Sequence, residues 1–498
     1  MNIPYLMLAA ILKLASPGEA DFTSSLLEAA SSDTEVVLAE GTYHFYLENA
    51  ADKHFYVSNH DQPIPRKVFL PLEKKRELKI RGEGKGAKFL FHGSGLAILL
   101  RDTKNVTLEN ISIDWQERTI GEAIITVLDK ENQRCEATWI AEPVWETANA
   151  MMIWDQDTKS IVPDTGDNCD VYKGRVGDIL SYRSWQRPNP AICLYRAENT
   201  LLQNFVIHSA WGMGILAQRS SDISIIGGGV YPREGSYCST LADATHFSNC
   251  RGLVSSIGAT YAGMMDDAIN VHSTCLRIVE RKNPTTIVAK YMHPQAIGFE
   301  VFRPGETLRF IRAATLETGD EVKVKKVVMH SPDLVTITFE PTASGRLPSF
   351  SLGDAIENAD YQPSVIFRNN VVKNNRARGS LFTTPKRVIV EDNRFENVSG
   401  SAILLAGDAN GWFESGACED VQIRRNKFVN CLTSKYQFCE AVITAYPCVP
   451  NLEEQSKPYH KNIVVERNVF DCPKMPLQSW LSTGNIIWRD NEIIGEKR

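Results

Sequence analysis

Three aspartates are set apart by their spacing. Ala242-Asp243-Ala244-Thr245-His246-Phe247 and Asp266-Asp267-Ala268-Ile269-Asn270-Val271-His272 are two copies of one phrase, with 23 residues from Asp243 to Asp266 and 24 from Asp243 to Asp267. In a chain that coils with that period, neighbouring copies stack roughly 4.8 Å apart, and three carboxyls crowd a small surface. Groups that close cannot all ionise. One stays protonated near neutral pH, as a general acid must, and a remaining carboxylate can deprotonate water. An acid and a base placed so suit the hydrolysis of a glycosidic bond. An inverting pair stands about 6.5–9.5 Å apart and a retaining pair about 5–5.5 Å, a distance that sequence does not fix. The competing use of Asp266 and Asp267 is calcium binding or the capping of a turn. Against it stand Met264, Met265, Ala268 and Ile269, which predict partial burial, and buried carboxylates are costly unless function retains them.

Other polar residues are candidates for binding. Asn270 and His272 share the acid-bearing strand and could meet sugar hydroxyls, although a structural role serves His272 equally well. Asp408-Ala409-Asn410-Gly411-Trp412-Phe413-Glu414 is a polar, aromatic loop. Trp412 offers a stacking face, and Asp408, Asn410 and Glu414 can bond hydroxyls; a plain surface loop is the alternative. Arg378 stands at the corresponding place one coil earlier.

These side chains need a scaffold with a fixed repeat, and the chain has one. Alternating apolar residues, then Asn, then apolar residues recur around Asn110, Asn204, Gly227, Asn370, Asn393, Asn426, Asn468 and Asn491. Asn204 to Gly227, Asn370 to Asn393 and Asn468 to Asn491 are each 23 residues. That length is one coil of a right-handed parallel β-helix, three short strands joined by turns. Alternation turns one face of each strand inward. The Asn is expected at a turn, in the left-handed conformation, bonded to its equivalent one coil away. A leucine-rich solenoid fails because its leucine pattern and its helix per repeat are missing. Phe22, Leu26, Leu27 and Ala30 predict one amphipathic helix, over about 22–31, capping the first coil. Residues 116–185 and 278–361 alternate as hairpins instead, and each is read as a small inserted antiparallel β-barrel. The divisions are 1–20, 21–115, 116–185, 186–277, 278–361 and 362–498.

Composition narrows the class. Of 498 residues 43% are apolar and 23% charged, and the net charge of −6 leaves no basic field for nucleic acid. Eleven Cys without a CxxC pair argue against a disulfide mini-fold and a structural zinc site, while one or two disulfides suit an exported chain. The run Ile3 to Ala15, broken by Lys13 and followed by small residues, reads as a leader over 1–20, and hence export to the periplasm or cell surface. No other apolar run is long enough for a membrane span.

The phrases Gly41-Thr42-Tyr43-His44-Phe45-Tyr46, Phe55 to Gln62, Asp243 to Phe247, Gly263 to His272, and Ala406 to Asn410 with Trp412 and Glu414-Ser415-Gly416 resemble glycoside hydrolase family 110. These are inverting exo-α-1,3-galactosidases of mainly gut and marine bacteria, and the likeness runs from about residue 20 to the end. The resemblance implies a β-helix with two inserted barrels, no required metal or other cofactor, and often a homodimer. It implies removal of terminal α-1,3-linked galactose from blood-group B or linear αGal glycans. By it, Asp243 is the proton donor, and Asp266 with Asp267 positions and deprotonates water. Ser273 departs from the pattern, which has Gly there.

Two rivals come from other classes. A polygalacturonase-like hydrolase also clusters Asp but must hold a uronate, and no Arg or Lys lies between Asp243 and Arg251 or between Arg251 and Arg277. The same lack counts against a lyase. A non-catalytic, glycan-binding β-helix is the rival that is not an enzyme.

Overall fold

The computed structural model describes residues 10–16, 18–145, 150–165 and 169–495. Its body is a parallel β-helix of three sheets, to which each coil contributes one strand apiece. The first sheet runs from Ala10–Leu14 to Thr483–Arg489, the second from Gly41–Tyr46 to Glu492–Ile493, and the third from Arg66–Glu73 to Gln478–Trp480, with Ala51–Lys53 as its antiparallel edge. Inward side chains fill one continuous core, from Leu26 and Phe45 through Phe247 and Val271 to Phe470. Helix Thr23–Ala29 lies over the first coil with Leu26 fully buried, as the sequence predicts. The leader expected at 1–20 lies partly outside the described residues; its stretch Ala10–Leu14 pairs in parallel with Thr34–Leu38.

In the earlier copies Asn110, Asn204 and Gly227 themselves take the positive φ, as expected, whereas the later copies divide the work between two residues. In the C-terminal coils the positive φ falls on Asn369, Asp392, Arg425, Arg467 and Asp490, one residue before the Asn expected to adopt it. The following Asn makes the ladder: Asn370, Asn393, Asn426 and Asn468 each donate a backbone N–H to the next Asn Oδ1 at 2.8–3.0 Å. The turn has two residues, so the left-handed backbone and the side-chain bridge need not share a position. Phe367, Phe395, Phe428 and Phe470 stack beside it, the last two with ring centroids 4.8 Å apart.

The insertions sit at opposite edges of the third sheet. The first leaves after Ile111–Trp115 of the second sheet and returns at Ile192–Tyr195 of the third. The second leaves after Ile269–Thr274 of the third sheet and returns at Ser364–Arg368 of the first. Its strands, from Leu276–Asn283 to Ala355–Asn358, close into a barrel as expected. The first differs from the expected barrel. Its strands Gly121–Asp129, Arg134–Ala141, Ala150–Trp154 and Ile179–Arg183 make an open antiparallel sheet among the described residues. Four strands leave little room inside a closed wall. This sheet instead buries Met152, Trp154 and Ile179 against Cys238, Leu241 and Met265 of the coils. All eleven cysteines are free thiols.

Replacing Asn426 by Leu strands the N–H of Asn393 and the carbonyl of Val390, both now bonded to its side chain. Chemical denaturation should register a loss of about 2–4 kcal/mol. Lys104→Ala, which removes an exposed ion pair to Glu198, should cost under about 1 kcal/mol.

Candidate active site

The outer face of the third sheet carries a cleft. Its floor is a row of outward side chains in register on successive coils: His246 beside Asn270, Asn270 beside Leu381, and Leu381 beside Leu404. Inward neighbours Phe247, Val271 and Phe382 are fully buried and fix which face points out. Asp243 and Asp266 enter from the turns between the second and third sheets, and Glu414 enters from the opposite edge, on a short strand paired antiparallel with Ser273 and Thr274. The cleft encloses about 710 Å³, open solvent at its mouth included.

The three aspartates do converge, with one oxygen from each within 4.8 Å of the others. Their surroundings differ. Arg378 grips Asp267: its Nη2 donates to Oδ2 at 3.0 Å, its Nε lies 3.0 Å from Oδ1, and its backbone N–H donates to Oδ1 at 3.1 Å. Asp267 is fully buried and does not line the cleft. Asp243 is 3% exposed and lines it, with Oδ2 2.6 Å from His246 Nδ1. Asp266 is half-buried and also lines it; its Oδ1 makes no hydrogen bond and lies 3.7 Å from Arg378 Nη1.

Electrostatics separate the three further. Burial pushes Asp243 well above the usual carboxylate range, and Asp266 adds to the push against Arg187 and Arg378. Burial also pushes Asp266 up, but Arg378, Arg376, Arg187 and Arg183 outweigh it and hold the group below that range. Asp267 is raised by burial against the pull of Arg378. Glu414 is raised by burial and lowered more by His272, His246, Arg378 and the Asn270 amide, so it stays ionised. Burial depresses His246 and His272 to about 4. Asp243 and Asp267 are both pushed toward the protonated form beside an ionised Asp266, and only Asp243 of the two lines the cleft, so Asp243 and Asp266 make the division that acid–base catalysis requires.

The remaining candidates fall in different places. Asn270 lines the cleft with its Oδ1 unpaired and faces Glu414 Oε2 through Nδ2 at 3.5 Å. His272 lies behind the floor, 1% exposed. Trp412 lines the cleft, 38% exposed, and stacks on His293 of the barrel insertion with centroids 4.1 Å apart. Asp408 reaches the cleft wall, but its carboxylate accepts the backbone N–H groups of Asn410, Gly411, Trp412 and Phe413 and so shapes the loop. Asn410 turns to the barrel insertion instead, donating to the Ala313 carbonyl at 2.9 Å and accepting from Arg277 at 3.3 Å. Ser273 adopts ordinary extended backbone and its Oγ donates to the Tyr361 carbonyl at 2.5 Å, so the departure from Gly is accommodated.

Several cleft residues carry no signal that sequence reasoning caught. Asn59 donates to Glu414 Oε1 at 3.0 Å from a loop 355 residues away. Arg187 comes from the chain returning from the first insertion. His246 was legible, since it repeats the place of Asn270 in the duplicated phrase. The cations that sequence found missing beside the acids are present in space as Arg187 and Arg378, so their absence from the local sequence does not exclude a uronate.

Two clusters among the described residues could gather ligands about a cation: Asp243, Asp266 and Asp267, and His246, His272 and Glu414. Neither fits well. The first already surrounds Arg378. In the second, the two Nε2 atoms are 2.7 Å apart, closer than the roughly 3.3 Å that two bonds of about 2.0–2.1 Å to one tetrahedral zinc would set.

Comparison with known proteins adds the lineage. The model of GLAA-B beta-barrel domain II matches residues 286–374, most of the barrel insertion and the first strands after it. Alpha-1,3-galactosidase B of Akkermansia muciniphila is 44% identical over 493 residues, covering 92% of this chain and 61% of its own length. The chain thus spans about three-fifths of that relative. Alpha-1,3-galactosidase B of Parabacteroides distasonis is 38% identical over 502 residues, covering 92% of this chain and 82% of its own. The solved A-module of mannuronan C-5 epimerase AlgE4 from Azotobacter vinelandii covers 96% of this chain and 94% of its own at 10% identity, with a TM-score of 0.39, which adds nothing to the fold read from the strands. On the extent and identity of the shared sequence, this chain belongs to the alpha-1,3-galactosidase B family.

Proposed function

We propose that the chain is an exo-α-1,3-galactosidase that removes terminal galactose from blood-group B or linear αGal glycans, with inversion. The observation that carries this reading is the crowding of Asp243, Asp266 and Asp267 at the edge of a cleft open to solvent. The names of the relatives supply the sugar and the linkage. Asp243 gives its proton to the glycosidic oxygen, and Asp266, ionised and open to the cleft, takes one from water. Asp267 holds Arg378 in place. Asn270 and Asp266, which line the cleft, accept galactose hydroxyls, and Trp412 offers its ring to the sugar or its neighbour. Export and a homodimer belong to the same reading, supported by the apolar run after Met1 and by the family resemblance.

Proton NMR of a digest of Gal-α-1,3-Gal should show β-galactose first. The anomer is the deciding measurement, because the trio is tighter than the roughly 6.5–9.5 Å of most inverting pairs. A digest that releases galacturonate and leaves every α-galactoside intact would favour the polygalacturonase-like rival, for which Arg187 and Arg378 are suitable anchors. Asp243→Asn should lower kcat on Gal-α-1,3-Gal about 10²–10⁴-fold, and less on p-nitrophenyl α-galactoside, whose leaving group needs little protonation. A glycan-binding protein without catalysis would show no turnover before or after that change.

Arg378→Met removes the side-chain partner of the buried Asp267 carboxyl, which then keeps a proton, and should lower stability by about 1–3 kcal/mol in denaturant titrations. Arg378→Lys should recover only part of that, because a point charge does not reproduce the two-pronged grip on the carboxylate.

A further inference from the structure

Two buried histidines behind the cleft make an unbroken chain of contacts to Asp243. His272 Nδ1 lies 2.7 Å from the Ser273 carbonyl oxygen. His272 Nε2 lies 2.7 Å from His246 Nε2. His246 Nδ1 lies 2.6 Å from Asp243 Oδ2. The first contact admits one polarity only, because a carbonyl oxygen only accepts. His272 therefore carries its proton on Nδ1 and, when neutral, presents a lone pair at Nε2. His246 must then donate from Nε2, which leaves a lone pair at its Nδ1. With His246 neutral, that lone pair meets Asp243 Oδ2 at 2.6 Å, and the contact is a hydrogen bond only when the carboxyl carries a proton there; the rival with the same proton count is a His246 imidazolium donating to an Asp243 carboxylate.

With neutral rings, the chain is thus satisfied when Asp243 is protonated and frustrated when it is not. If Asp243 ionises while His246 keeps its Nε2–H, a carboxylate faces a lone pair. If His246 switches its proton to Nδ1, two imidazole lone pairs face each other at 2.7 Å. Both rings are 1% exposed, so water cannot step in to relieve either arrangement.

We propose that His246 and His272 are positioning residues that lock the proton on Asp243, with the Ser273 carbonyl setting the direction of the whole chain. The proposal rests on the acid role given to Asp243 above and explains how that acid is loaded again after each turnover. It needs no new reactant: the carboxyl loses one proton to the glycosidic oxygen and regains one from solvent in the open cleft, while the histidines keep theirs. The other charged or titratable groups facing the chain are Asp266 and Asp267 from the adjoining coil, Arg378 one coil further, Arg187 from the first insertion's return, His60 from the N-terminal loop, and Glu414. Glu414 is the competitor. Its Oε1 lies 3.5 Å from His272 Nε2, and it would draw the same proton along the chain to make His272 an imidazolium and Asp243 a carboxylate.

Two measurements test the lock. Long-range ¹H–¹⁵N spectra of the full chain labelled with ¹⁵N-histidine should show His272 as the Nδ1–H tautomer and His246 as the Nε2–H tautomer, both neutral from pH 6 to 8. A doubly protonated His272, or an Nδ1–H His246, overturns the proposal whether or not the protein cleaves galactosides. The second is the pH profile of kcat/KM on Gal-α-1,3-Gal. Because protonated Asp243 is the active form and the lock raises its pKa, the basic limb marks its loss. His272→Leu removes the acceptor, frees His246 to offer Nδ1–H to the carboxylate, and should move that limb down by about one pH unit or more. His272→Gln restores an acceptor oxygen and should move it back. An unmoved limb in both variants, with activity merely reduced, would make the histidines structural only and sink the lock. If the wild-type protein cleaves no α-galactoside, the proposed function fails while the tautomers still decide the lock.

Discussion

Parallel pairing between neighbouring coils is the constraint on which the site depends. Thr245–Ser248 lies beside Ile269–Thr274 with Thr245 opposite Ile269 and His246 opposite Asn270. The pairing continues back into the turn, where the Ala244 N–H donates to the Asp267 carbonyl at 2.8 Å. That contact brings two aspartates 24 residues apart in the chain side by side. A slip by one residue would turn Phe247 and Val271 outward and His246 and Asn270 into the core, so apolar burial holds the register that the acids need. The asparagine ladder and the stacked phenylalanines do the same work further along the solenoid.

Crowding three carboxyls is tolerable because each has a different answer to its charge. Asp267 pairs with Arg378 through both oxygens. Asp266 keeps an opening to the cleft and the field of several arginines. Asp243 keeps a proton, held against a histidine whose tautomer is set two contacts away. The insertions then supply what the coils cannot. One returns Arg187 to the rim, and the other places His293 under Trp412. Both attach at edges of the third sheet, so the sheet that carries the acids is the one they wall.

The local sequence carried the solenoid, the helix at its start, the closed barrel and the acidic trio, because each writes a short-range pattern: a period of 23, an amphipathic turn, alternating hairpins, a duplicated phrase. It also carried the presence of the asparagine ladder, though not the division of labour between neighbouring turn residues. The open form of the first insertion was not legible, because whether four strands close depends on the coil surface they lie against. Nor was the role of Asn410, whose place in a polar loop says nothing about the barrel residue that takes its amide.

What the sequence determined by itself was therefore which residues share a face and which repeat in register, since alternation and period are properties of consecutive residues. What only the tertiary structure decided was charge and proximity across the cleft: Asn59 reaching Glu414, Arg187 beside the acids, the grip of the sequence candidate Arg378 on Asp267, and a histidine pair closing on Asp243. Those contacts join turns and loops separated by tens to hundreds of residues. Their geometry is fixed by how coils and insertions pack, which no local pattern encodes.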